Sequence, residues 1–153
     1  MNSDELEMIK KTWEIPVATP TDSGAAILTA FFNRFPSSLQ KFPFHNVPLE
    51  ELPSNARFRA HAGRIIRVFD ESIRVLGQDG DQEKLDEIWT KVAVNHIPRR
   101  ISRESYNQLK EVILEVLTAA CSLNESQVET WTKLIDHVYN IIFKAINEDG
   151  DAI

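Results

Sequence analysis

The stretch EKLDEIWTKVAVNHIPR, residues 83–99, carries the pattern that decides the fold. Its apolar side chains recur at steps of three and four residues, and so they share one face of a helix. Pro98 lacks a backbone N–H and restricts the residue before it, so we expect the helix to end at about this point. The apolar face runs through Leu85, Ile88, Trp89, Val92 and finally His96.

A histidine at the end of an apolar helix face has two interpretations. Its imidazole is either buried in the core with its hydrogen bonds satisfied, or it binds a metal. One histidine alone does not distinguish the two. The rest of the chain must therefore show whether His96 has a partner.

The composition bounds the class of protein. Of 153 residues, 42% are hydrophobic and 26% charged, which predicts one domain over residues 1–153 with one sizeable core. The net charge of -6 argues against a nucleic-acid-binding protein, which needs a basic face, and against docking to an anionic membrane. The single cysteine excludes an intrachain disulfide and favours a reducing compartment. With no apolar run of signal-peptide or transmembrane length, we expect a cytoplasmic protein.

Five further segments show the helical period, and no segment shows the alternation of a half-buried strand. We therefore predict an all-α fold of seven to eight helices, with the last two packed as antiparallel neighbours. Three prolines disfavour regular structure over residues 42–53, and the polar tail of residues 147–153 is expected to fray. The predicted helices cover residues 3–17, 21–35, 55–76, 82–96, 102–123 and 124–146.

Capping residues mark the predicted helix starts, because their side chains accept hydrogen bonds from the first free N–H groups. Gly24 lies inside the second helix, where glycine lowers helix stability. Either this loss is tolerated, or the glycine marks a close crossing by another helix. The expected caps are Ser3 or Asp4, Thr21 or Asp22, Ser54 or Asn55, Ser102, and Asn124 in a capping box with Gln127.

The helix predicted over residues 55–76 supplies the partner that His96 needs. His61 follows Phe58 by three residues and precedes Ile65 by four, which places it on the apolar face. Two imidazoles on two apolar faces must both point towards one core. Without an acidic ligand on either face they make a poor zinc site, which wants three or four close ligands. They suit a flat metal cofactor, since haem iron takes axial nitrogen ligands and the haem ring needs apolar walls.

The other reactive side chains indicate no competing chemistry. His45 and His137 are expected to meet solvent, and nothing places a histidine beside Cys121, which is interpreted as an inert buried thiol. The chain has neither a Gly-rich phosphate loop nor a nucleophile elbow. Phe42 and Phe44 lie in the proline-rich connector, and at least one of them must pack inward.

Together these landmarks resemble those of a globin along nearly the whole chain. More closely, the chain resembles the intracellular haemoglobins of flies in the runs MNSDELEMIKKTW (1–13), KFPFHNVPLEEL (41–52) and NARFRAHAGRIIRVFDESI (55–73). The landmarks are Trp13, Gly24 with Ala62 and Gly63 at a helix crossing, Pro36 at the start of a short helix, Phe42, His61 with Ile65, and Val92 with His96.

The resemblance implies haem b as the cofactor. His96 would be the proximal axial ligand of the iron, and its other ring nitrogen would donate to a carbonyl or side chain of its own helix. His61 would be the distal histidine, which either hydrogen-bonds O2 or binds the iron itself; the similarity to insect globins favours reversible binding to iron. Phe42 would lie against the porphyrin. The other expected contacts are Leu28, Phe32 and Ile65 on the distal side, Val92, Ile101 and Tyr106 on the proximal side, and Arg64 at a haem propionate.

The function that the resemblance implies is reversible binding of O2 for storage, intracellular transport or buffering, with CO and NO as further ligands. The protein would be a monomer or weak homodimer and not an enzyme. One alternative is a nitric oxide dioxygenase or a peroxide-handling enzyme, which needs a separate reductase because no flavin or nicotinamide domain is fused here. Another is a gas or redox sensor, in which displacement of His61 by a ligand moves its helix.

Overall fold

The computed structural model describes all residues, 1–153, and confirms the all-α prediction. Its six α-helices are accompanied by three short 3₁₀ helices, and its one extended pairing is an isolated bridge between Ile146 and Ala152. The α-helices are α1 (Ser3–Val17), α2 (Pro20–Arg34), α3 (Ala56–Val75), α4 (Asp81–His96), α5 (Arg103–Cys121) and α6 (Glu125–Ala145). The 3₁₀ helices are Pro36–Lys41, Leu49–Ser54 and Ile97–Arg99.

Side-chain caps fix the starts of four helices. Asn55, Ser102 and Asn124 each accept a hydrogen bond from a backbone N–H in the first turn, as predicted. The cap of α1 is Asn2, not Ser3 or Asp4, because Asn2 forms a reciprocal capping box with Glu5.

The start of α2 differs from the prediction. The helix begins at Pro20, directly after Thr19, rather than after Thr21 or Asp22. Proline suits the first helical position because its fixed φ matches the helix and no N–H is needed there.

Helices α2 and α3 cross at a distance that only glycine allows. A Cβ added to Gly24 would lie 1.9 Å from the backbone oxygen of Ala62, far inside van der Waals contact. The predicted close crossing is therefore confirmed, and it involves the main chain of α3 rather than side chains alone. Since His61 and Ala62 are neighbours in α3, this crossing also fixes the position of His61 relative to α2.

Three buried tryptophans connect α1, α3, α4 and α6. Each packs its ring in the core and donates its indole N–H to a polar side chain on another helix, which satisfies its one buried donor. The pairs are Trp13 with Asp70 Oδ1 at 3.0 Å, Trp89 with Ser72 Oγ at 2.9 Å, and Trp131 with Thr12 Oγ1 at 3.0 Å.

Helices α5 and α6 pair in antiparallel fashion, as predicted. Tyr106 in the first turn of α5 packs edge-on against Phe143 near the end of α6, with ring centroids 6.0 Å apart. One turn further along α5, Lys110 pairs with Asp136 at 2.8 Å, earlier in α6. The two contacts run in opposite directions along the two helices.

The connector between α2 and α3 is more regular than predicted. Two of the three 3₁₀ helices lie there, and Leu49–Ser54 includes Pro53. Short 3₁₀ turns accept proline more readily than a long helix does, and the prediction for residues 42–53 overlooked this. Phe44 packs inward with 2% of its surface exposed, whereas Phe42 is half-buried.

The expectation that residues 147–153 fray is wrong. The side chain of Asn147 accepts hydrogen bonds from the backbone N–H groups of Asp149 and Asp151, both at 3.0 Å. Asp151 in turn pairs with Arg100 at 2.8 Å. The polar composition indicated exposure, but polar side chains that bond to the local backbone can hold a turn without a core.

Three smaller expectations concern single side chains and the membrane. His45 and His137 are exposed, as predicted, and Cys121 is half-buried rather than buried.

None of the helices combines the length and the apolarity needed to cross a bilayer.

The crossing of α2 and α3 yields a stability prediction. Gly24→Ala forces a methyl group onto the carbonyl of Ala62, so the helices must separate, and we expect a loss of about 2–3 kcal/mol in the free energy of unfolding. Urea denaturation of the two proteins measures it. The matched control is Gly63→Ala, whose Cβ meets the flexible tip of Arg67 and the Thr21 hydroxyl, and which should change stability by less than about 1 kcal/mol. Equal losses in both variants would contradict the account.

Candidate functional site

A cavity of about 490 Å³ lies among α2, α3, α4, α5 and α6. It is lined by 22 residues, 14 of them hydrophobic, and its volume falls in the range of sites that enclose small ligands. Both His61 and His96 are in its lining. The two imidazoles that the sequence placed on separate helix faces therefore meet in one cavity.

His96 is held by its own helix. Its Nδ1 lies 2.6 Å from the backbone oxygen of Val92, one turn earlier in α4. A carbonyl only accepts, so Nδ1 carries the proton and donates, and Nε2 keeps its lone pair. Burial lowers the pKa of His96, more than the hydrogen bond to Val92 raises it. The side chain is thus a neutral imidazole in a fixed tautomer, which is the form that binds a metal.

His61 is also a neutral imidazole. Burial above all, and then the charges of Arg64, His96 and Arg99, lower its pKa to about 4. Two aromatic rings contact its edges: Phe42 at 5.1 Å and 83°, and Phe44 at 6.2 Å and 71°, measured between ring centroids and planes. The two phenylalanine rings stack on each other, with centroids 5.2 Å apart, so the imidazole is uncharged at neutral pH and packs against a stacked aromatic pair.

Most of the other predicted site residues line the same cavity, and one does not. Phe32 is fully buried behind Phe42, with ring centroids 5.0 Å apart, and is absent from the lining. Its neighbour Phe31 lines the cavity instead: the two residues follow Leu28 by three and by four positions, and the rotation of α2 turns Phe31 towards the cavity. The predicted residues in the lining are Leu28, Phe42, Ile65, Val92, Arg64, Ile101 and Tyr106.

Several lining residues were missed by sequence reasoning. Tyr139 and Ile142 follow the helical period of α6, and the same pattern that predicted its apolar face could have placed them at the cavity. No sequence signal pointed to Lys41 and Arg99, since a surface cation in a connector carries no spacing information. The further lining residues are Val68, Phe69, Trp89, Leu109 and Ile113.

The charged side chains in the cavity lining are all cations. Lys41, Arg64 and Arg99 are in the lining, together with the polar side chains of Ser38, Asn95 and Ser105. None of the three cations takes part in an ion pair within the chain. In a chain with a net charge of -6, three free cations at one cavity favour a ligand that carries carboxylates.

Tyr106 adds an unsatisfied polar atom to the wall. The residue is 6% exposed, and its buried hydroxyl has no hydrogen-bond partner. Its ring lies 6.1 Å from that of His96, measured between centroids, and burial raises the pKa of its hydroxyl. Since buried polar groups in native proteins nearly always find a partner, this hydroxyl suits a ligand with polar atoms as well as an apolar body.

The side chains do not form a protein-only metal site. No group of three or more His, Cys, Asp or Glu side chains is placed to hold a metal ion. Cys121 lies outside the cavity, with its Sγ 3.4 Å from the backbone oxygen of Thr12. Two neutral imidazoles in one largely apolar cavity, with three cations in its lining, therefore define a protein that binds a flat metal cofactor bearing carboxylates, that is, a haem protein.

The globin family model matches residues 25–142, and the chain therefore belongs to the globin family. It is similar to the Drosophila melanogaster hexa-coordinate haemoglobin that was solved in a study of cyanide binding and haem-cavity transitions: 80% identity, all of both chains covered, and a TM-score of 0.98. It is also similar to haemoglobin of the botfly Gasterophilus intestinalis, at 42% identity, with 94% and 97% of the two chains covered and a TM-score of 0.87. Globin CTT-VI of Chironomus thummi thummi is 26% identical over 148 residues, covering 96% of this chain and 89% of that protein.

The globin prediction is confirmed, and the chain is a protein that binds haem b and oxygen. The residues of the cavity fit this cofactor. Two neutral imidazoles could supply axial nitrogen atoms, aromatic and aliphatic side chains would form walls for the ring, and the cations suit its two carboxylates.

The fixed tautomer of His96 predicts that this residue retains the haem. His96→Leu removes the one imidazole that its own helix holds in a metal-binding form, so haem should dissociate more than about 100-fold faster. Transfer of haem to an excess of a scavenging apoprotein, followed at the Soret band, measures the rate. His137→Leu is the control, because His137 is exposed and bonds only Gln82. Haem loss at the wild-type rate in His96→Leu would refute the axial role of His96.

Proposed function

We propose that this globin stores O2 or eases its diffusion inside cells, with His96 as the permanent axial ligand and His61 as a reversible second one. When bound, haem b supplies a ferrous iron that takes up diatomic gases reversibly, CO and NO among them. The observation that carries the proposal is the pair of neutral imidazoles in the lining of one cavity.

The two imidazoles are held differently, and this supports different roles. His96 is tied to the backbone of α4 through Val92, so its orientation is fixed by the helix itself. His61 is confined by the rings of Phe42 and Phe44, which restrict it by packing rather than by a backbone hydrogen bond. A side chain held by packing can leave a ligand position at a smaller cost than one anchored to its own helix.

The likeness to the Drosophila melanogaster protein supports the same proposal. That haemoglobin is described as hexa-coordinate, and its haem cavity undergoes conformational transitions in connection with cyanide binding. The present chain shares 80% of its residues over its whole length. We infer that its distal histidine competes with external ligands in the same way.

The apolar lining explains how the site would protect its cofactor. Leu28, Phe31 and Ile65 lie in the wall of the cavity and offer no hydrogen bond to water. A dry pocket slows oxidation of ferrous iron, because charge separation is disfavoured in a medium of low dielectric constant. The residues therefore favour repeated binding and release of gas over chemical conversion.

Three further features belong to the proposal. The single cysteine favours a reducing, cytoplasmic location. Any return of oxidised iron to the ferrous state is assigned to a separate reductase. The protein works as a monomer or weak homodimer, since each chain contains its own cavity and both histidines.

The coordination role of His61 predicts a spectroscopic change. In the ferrous, ligand-free wild type, two axial histidines should give sharp, split visible bands. His61→Leu removes one ligand and should give a single broad band and faster CO association by more than about tenfold, because no internal ligand must leave first. His45→Leu is the control, since His45 is an exposed histidine of the connector. A broad single band in both the wild type and His61→Leu would rule out iron binding by His61.

A second experiment separates the carrier from the nitric oxide dioxygenase. The protein with O2 bound is mixed with NO in the presence of a cellular reductant, and NO consumption is followed with an electrode. A carrier should consume about one equivalent quickly and then continue only at the slow rate of re-reduction. Fast, sustained turnover would contradict the carrier and favour the enzyme.

A further inference from the structure

The corner that follows His96 is held in a conformation that its sequence does not favour. Residues 97–102 join the helix of the axial histidine to α5, and Arg99 and Ile101 from this corner line the cavity. Between them, Arg100 adopts a left-handed backbone conformation with φ of 48°, which is costly for a residue with a Cβ. Such a residue persists only where the surrounding structure holds it in place.

Residues 147–153, here called the C-terminal strap, hold Arg100 in this conformation. The carboxylate of Asp151 accepts two hydrogen bonds from Arg100, from Nε at 2.8 Å and from Nη2 at 3.1 Å. The backbone N–H of Arg103 donates to the carbonyl of Glu148 at 3.1 Å. The strap is thus hydrogen-bonded to the chain on both sides of Ile101.

Gly150 brings the strap into contact with the backbone of the corner. It is buried and has a φ of +90°, and a Cβ at this position would lie 2.2 Å from the backbone oxygen of Ile101. Any other residue would push the strap away from the segment that lines the cavity. The close approach is therefore as specific for glycine as the crossing of α2 and α3.

The strap is preorganised for this contact. The side chain of Asn147 bonds the backbone N–H groups of Asp149 and Asp151, and the N–H of Asn147 donates to the carbonyl of Asp151 at 2.8 Å. These bonds close the strap into a turn through its own side chain and backbone. Its binding to the corner thus costs little additional ordering.

We propose that Asp151 and Gly150 are positioning residues for His96: through residues 97–102, the strap sets the orientation of the axial imidazole and the tightness with which haem is held. The inference rests on the proposed ligation of iron by His96. No residue of the strap lines the cavity, so the strap acts only through the corner. Without the bonds from the strap, the corner relaxes from the strained conformation at Arg100. The end of α4, which is joined directly to the corner, then shifts with it.

The test compares two isosteric substitutions in the strap of the haem-loaded protein. Asp151→Asn weakens the bidentate bond to Arg100, whereas Asp149→Asn removes the same charge from an exposed residue that makes no hydrogen bond to the corner and acts on Arg100 only through its charge. We expect haem dissociation to accelerate about two- to fivefold in Asp151→Asn and by much less in Asp149→Asn. The same pair in a His61→Leu background allows the iron–histidine stretching frequency to be read by resonance Raman spectroscopy. It should shift or broaden in Asp151→Asn alone.

Gly150→Ala provides the stronger perturbation, with an expected acceleration of haem loss of about tenfold. The proposal is overturned if Asp151→Asn leaves the iron–histidine frequency of the His61→Leu parent unchanged and loses haem at the wild-type rate in the otherwise wild-type protein, including the case in which only its melting temperature falls. Asp151→Asn decides the matter if Gly150→Ala does not fold. Failure of the proposed function has a different signature, since His96→Leu would then retain haem as well as the wild type does.

Discussion

The contact between Gly24 and the backbone of Ala62 is the constraint on which the site depends. Because α2 and α3 touch main chain to main chain, Leu28 and Phe31 of α2 reach the cavity beside the face of α3 that carries His61. A wider crossing would move these walls away from the imidazole.

Forming this cavity places several residues in states that are unfavourable on their own. Two imidazoles are kept neutral by burial, a tyrosine hydroxyl has no partner in the chain, and the corner after His96 contains a strained arginine. Such local conflicts are typical of functional sites, where the surrounding fold holds groups that would not adopt these states alone. Here the surrounding fold includes the C-terminal strap, which packs against the corner from outside the cavity.

The sequence predicted what depends on periodicity and local chemistry. The apolar faces of α3 and α4, the caps at Asn55, Ser102 and Asn124, and the stop at Pro98 all follow from side chains close together in the chain. Predictions failed where a distant or backbone interaction decided the outcome. The folded strap depends on Arg100, far away in sequence, and the exchange of Phe31 for Phe32 depends on the rotation of α2 by about one residue, which periodicity does not resolve. The roles assigned to individual residues at the haem came from resemblance, not from spacing.

The central claim is that one cavity places His61 and His96 on opposite faces of the same haem. The most direct measurement is a crystal structure of the haem-loaded protein in the absence of any external ligand. The account predicts that Nε2 of both histidines lies within coordination distance of the iron, with Nδ1 of His96 still bonded to the carbonyl of Val92. Iron coordinated by any residue other than His96, or His61 turned away from an open sixth position, would contradict it.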